Sequence, residues 1–62
     1  MTKAEATKSI RLLEANGCRE ATMIKYVRTW HVFATDRATG ARFHADHLDA
    51  VIDRIRARAL YA

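Results

Sequence analysis

GCREATMIKYVRTWHVFATDRATGARFH, residues Gly17 to His44, is the stretch on which the fold turns. It opens on a stop, since Asn16 and Gly17 both tolerate the left-handed backbone that ends a helix. Met23, Val27 and Trp30 then fall at i, i+4 and i+7, with Ile24 beside them. That spacing predicts an amphipathic helix from about Glu20 to His31. Thr22, Lys25, Arg28 and Thr29 lie mostly off its apolar face, and Tyr26 lies at the margin. Beyond Val32 the period changes. Val32, Phe33, Thr35 and Phe43 are strand formers, and Gly40 suits the left-handed position of a turn. A segment this short can hold only a two-stranded hairpin or a loop, with Arg37 and Arg42 flanking its tip.

Working outward, residues 3–16 read as a helix whose face carries Ala6, Ile10 and Leu13, widened by Leu12 and Ala15. Thr2 is its expected N-cap, and Glu5 would close a capping box. On the other side, residues 46–60 read as a helix with the apolar stripe Leu48, Val51, Ile52, Ile55 and Ala59. Its acids Asp46, Asp49 and Asp53 precede its bases Arg54, Arg56 and Arg58, an order that suits the helix dipole.

Sixty-two residues predict a single domain over 1–62, with a core of modest size. Eleven Lys and Arg against seven Asp and Glu give a net charge of +4, which leans toward polyanionic partners. Cys18 has no second cysteine to pair with, the first ten residues lack a signal peptide's apolar core, and no apolar run reaches membrane-spanning length. The expectation is a cytoplasmic protein with no membrane partner.

The order of elements resembles the winged helix-turn-helix domains of MerR-like regulators and phage excisionases. The residues that carry the likeness are Gly17, Thr22, Met23, Lys25 and Tyr26, then Val32-Phe33, the tip from Arg37 to Arg42 with Gly40, Phe43, and Asp46 to Ile52. The chain departs from that pattern at Ile24, Trp30 and Phe33. The resemblance implies a mainly α fold of three helices plus a two-stranded wing. It implies a sequence-specific DNA-binding protein, either a transcriptional regulator or an architectural recombination factor. Double-stranded DNA would be the partner, met by a homodimer or a head-to-tail array, with an integrase as a further partner.

On that reading Thr22, Lys25, Tyr26, Arg28 and Thr29 meet the major groove. Arg37 and Arg42 grip an adjacent minor groove or its backbone, and Arg19 adds a phosphate contact. A different class of function is a small helical module, such as a phage adaptor or inhibitor, that docks its basic face on an acidic protein. A third reading likens ATMIKYVRTWHVF to the first helix of a tyrosine recombinase core-binding domain, which is all-helical and excludes a hairpin at 33–43. No catalytic constellation is legible, so no enzyme and no cofactor are expected. Cys18, His31, His44 and His47 lack the paired-cysteine spacing of a zinc site, and no metal is expected either.

Overall fold

The computed structural model describes residues 1–61 and runs α1 (Lys3–Ala15), β1 (Cys18–Tyr26), β2 (Thr29–Asp36), β3 (Arg42–Ala45) and α2 (Leu48–Tyr61). The three strands form one antiparallel sheet in the order β1-β2-β3. Both helices pack against each other and against one face of the sheet. The architecture is therefore α+β, two layers, with one sheet face open to solvent. The mainly α, three-helix winged fold is overturned.

α1 forms as its sequence dictates. Thr2 caps it, Thr2 Oγ1 accepts from the Glu5 N–H at 3.2 Å, and Glu5 Oε1 accepts in return from the Thr2 N–H. That pair of hydrogen bonds, the backbone one foremost, holds the Glu5 carboxyl below its ordinary range. Ala6, Ser9 and Leu13 are buried, and the chain leaves the helix through Asn16 and Gly17, whose φ is +88°. α2 starts at Leu48, two residues later than expected, and sets Val51 into the core with Ile55 beside it. The side chain of Ala59, expected on that stripe, lies outside the described residues.

The largest correction concerns residues 20–31, which are two strands and a turn rather than a helix. Nine of the fourteen residues from Thr22 to Thr35 are β-branched or aromatic, a composition that fits a pleated surface better than a helix. Val27, taken by helical spacing as a core position, is instead 73% exposed at the tip of the β1–β2 hairpin. Val27 and Arg28 both have positive φ, +49° and +63°, the requirement of a two-residue type I′ turn.

Lower in the same hairpin the register shifts between Arg19 and Thr22, where Glu20 has φ +53°. Two β1 residues there oppose one on β2, which is a β-bulge. It keeps Cys18, Ala21 and Met23 toward the helices although they are not evenly spaced in sequence.

The second hairpin, β2–β3, does form where strand and turn residues suggest, with Gly40 at φ +74° and the Gly40 N–H donating to Asp36 O at 2.7 Å. Its existence rules out the all-helical recombinase reading. It is no projecting wing, because β2 is the central strand. The core that joins the layers is Ala6, Leu13, Cys18, Val32, Ala34, Ala45 and Val51. Among the described residues no helix is long and apolar enough to cross a membrane.

Candidate functional site: the open face of the sheet

Strand pairing decides which side chains share the uncovered face, because directly opposed residues point the same way. Four rows result. Arg19 and Arg42 each oppose Thr35; Thr22 and His44 each oppose Phe33; Ile24 opposes His31; Tyr26 opposes Thr29 at the hairpin end. Asp46 follows His44 by two residues and lies beside both histidines. Successive rows stand about 7 Å apart, twice the rise of an antiparallel strand.

The middle of this face is apolar. Ile24, Tyr26, His31, Phe33 and His44 line a shallow depression of about 300 Å³. Phe33 and His44 stack, with ring centroids 4.6 Å apart and planes 15° from parallel, while Tyr26 tilts over His31 at 6.3 Å. Ile24 and Tyr26 are 55% and 69% exposed, large apolar surface for so small a chain.

One end of the face is cationic and rigid. The Arg42 guanidinium lies across the strands, where Nη1 donates to Glu20 O at 3.1 Å and Thr35 Oγ1 at 3.0 Å, and Nη2 donates to Thr22 Oγ1 at 3.1 Å. The bulge therefore has a second effect: it turns a backbone carbonyl toward Arg42. Among the described residues no carboxylate pairs with Arg42 or Arg19, so both charges act on whatever approaches.

The residues expected to bind DNA divide between surfaces. Arg19, Thr22, Tyr26, Thr29 and Arg42 share the open face. Lys25 opposes Trp30 and stands on the helix-covered side. Arg28 sits in the β1–β2 turn, and Thr29 is occupied at the start of β2, where its Oγ1 accepts from the Met1 ammonium at 2.7 Å and donates to the Met1 carbonyl oxygen at 3.3 Å. Arg37 lies in the β2–β3 loop, its N–H donating to Gly17 O at 3.0 Å. The single cationic grip of a recognition helix and wing does not exist, because the helix is a strand whose side chains alternate between faces.

Sequence reasoning missed His31, Phe33, His44 and Asp46 as members of one site. The signal available was the spacing of His44 and Asp46, which puts both on one face once the segment is read as extended.

Cys18 stands apart from all of these. It is buried on the covered side, where desolvation and then the Asp36 carboxylate push its thiol above the ordinary range. It is a core residue and lies across the sheet from His31 and His44. Comparison with protein-family models, with curated proteins and with solved structures gave no match to this chain.

Proposed function

We propose that the protein binds nucleic acid on the open sheet face, stacking unpaired bases in the apolar depression and holding phosphates with Arg19 and Arg42. The observation that supports this reading most is the side-by-side placement of aromatic rings and guanidinium groups that have no carboxylate partner among the described residues, on the sheet face away from the helices. Rings offer stacking to any base, and arginine offers phosphate contacts and planar stacking. The row spacing of about 7 Å suits successive nucleotides of an extended strand. The net charge of +4 favours the same class of partner.

Fluorescence anisotropy with a labelled single strand and its matched duplex, at two salt concentrations, tests the proposal. The single strand binds more tightly, and affinity falls as salt rises. Tyr26→Ala weakens binding by about 1–3 kcal/mol, the usual worth of one stacked base. Arg42→Ala lowers the salt slope by roughly 0.7, one phosphate contact to a single strand. No binding of either nucleic acid at low salt refutes the proposal.

A second reading, a docking site for a protein, is favoured by the contiguous exposed Ile24, Tyr26 and Val27 at the hairpin end. A stoichiometric protein partner whose capture is abolished by Tyr26→Ala, with no nucleic acid retained, would support it instead.

A further inference from the structure

We propose that His31, His44 and Asp46 form a binding site for one divalent first-row transition ion, with zinc as the reference case. The inference concerns the chain's own side chains and does not depend on nucleic-acid binding.

The strands bring the three donors together. His44 and Asp46 are two residues apart on and just beyond β3, so both emerge on the open face. His31 reaches them from the neighbouring β2. His31 Nδ1 lies 3.0 Å from His44 Nε2, His44 Nε2 lies 2.8 Å from Asp46 Oδ1, and His31 Nδ1 lies 3.4 Å from that same oxygen. Three donor atoms thus converge on one point. A tetrahedral ion with bonds of about 2.0–2.1 Å needs its ligand atoms about 3.3 Å apart. The existing triangle reaches that size with shifts of a few tenths of an ångström, well within side-chain adjustment.

Hydrogen bonding alone satisfies this triangle poorly. A proton lies along one edge at a time, so a single hydrogen bond between His31 Nδ1 and His44 Nε2 leaves the His44 Nε2 and Asp46 Oδ1 lone pairs facing each other at 2.8 Å. If both imidazoles instead donate to Asp46 Oδ1, the two N–H groups face each other at close range. A cation at the centre uses all three lone pairs at once. Two imidazoles and one carboxylate are the donor chemistry of zinc and its first-row neighbours, and calcium and magnesium prefer all-oxygen sites.

A second observation is independent of the triangle. The rings are oriented from outside it: Phe33 stacks on His44, and Tyr26 packs against His31. Aromatic neighbours fix the imidazole planes and so reduce the entropy lost when an ion is bound. The three side chains are 23%, 39% and 59% exposed for His31, His44 and Asp46, so an ion can enter from solvent and keep an outward coordination position.

Titration of the protein with Zn²⁺, read by calorimetry, and with Co²⁺, read by its visible d–d absorption, tests the site without nucleic acid. One ion binds per chain, and Co²⁺ gives the spectrum of a four- or five-coordinate centre. His44→Ala and Asp46→Asn each weaken binding by more than about tenfold, since losing a ligand costs at least what losing an outer-sphere partner costs. His47→Ala, a histidine outside the cluster, leaves the affinity unchanged. Asp46→Asn keeps size and shape, and far-UV circular dichroism confirms that each variant is folded. No saturable 1:1 site, or equal affinity in wild type and Asp46→Asn, overturns the proposal and leaves a hydrogen-bonded cluster.

Discussion

The two faces of this sheet both carry large apolar side chains and have opposite fates. The covered face carries Val32, Ala34 and Ala45, fully or nearly buried, with Met23, Trp30 and Phe43 packed around them. The open face carries Ile24, Tyr26, His31 and Phe33, packed only on one another and on His44 and facing solvent. Stability resides on the first face, where helix and sheet exclude water together. The second face costs the isolated chain some solvation and is the natural place for a partner. The same strands serve both, because residues alternate along them.

A change beneath the helices breaks the comparison most severely. Leu13 is among the largest fully buried side chains, and Leu13→Ala should cost about 2–5 kcal/mol, a large share of what a 62-residue domain possesses. Urea denaturation followed by far-UV circular dichroism measures it, and unfolding at room temperature is within the expected range.

A change at the hairpin end should act in the other direction. Val27 and Arg28 both occupy left-handed backbone, which a β-branched residue resists. Replacing them with Asn-Gly removes that strain and should raise stability by about 1–2 kcal/mol, seen as a higher denaturant midpoint at unchanged slope.

Acid probes the seam between layers. Asp36 Oδ2 lies 3.1 Å from Arg58 Nη1 of α2, and Asp36 Oδ1 accepts from the Ala38 N–H at 2.9 Å. The Ala38 hydrogen bond first, then the Arg58 charge, hold this carboxyl below its ordinary 3.8. A carboxyl depressed in the folded state stabilises fully above its unfolded value, and that contribution disappears as pH falls below about 3.8 through the folded one. Asp36→Asn should therefore flatten the acid limb of a stability–pH curve and change little of its slope at neutral pH.

The smallest effect sharpens the comparison. Tyr26→Ala on the open face should alter stability by no more than about 0.5 kcal/mol, while its effect on binding is large. A substantial loss of stability would mean that the open face is structural after all.

Legibility in the sequence follows the same division. α1 could be read almost residue by residue, because Thr2, Glu5, Asn16 and Gly17 are local signals with local causes. α2 was readable too, apart from its start. The middle was not, for three physical reasons. The β1–β2 turn lacks the Asn-Gly or Asp-Gly that announces a type I′ hairpin. The bulge at Glu20 breaks the even spacing of inward residues. And Ile24 and Tyr26 are apolar on the solvent side, so the in–out polarity that marks a strand is erased where the candidate site lies. Because the segment is a strand and not a helix, Arg19 and Arg42 share the open face, and Lys25, expected in their company, stands across the sheet.

The kink in β1 has one more outcome. β1 is a nine-residue border strand whose outer backbone donors and acceptors have no partner strand. An uninterrupted ladder of that length is a template on which another polypeptide can zip. The extra residue at Glu20 twists the template out of line and shortens its regular portion. A chain lacking Glu20 would pair more regularly and keep every side chain on its present side, yet it would present a straighter rim and a greater tendency to aggregate.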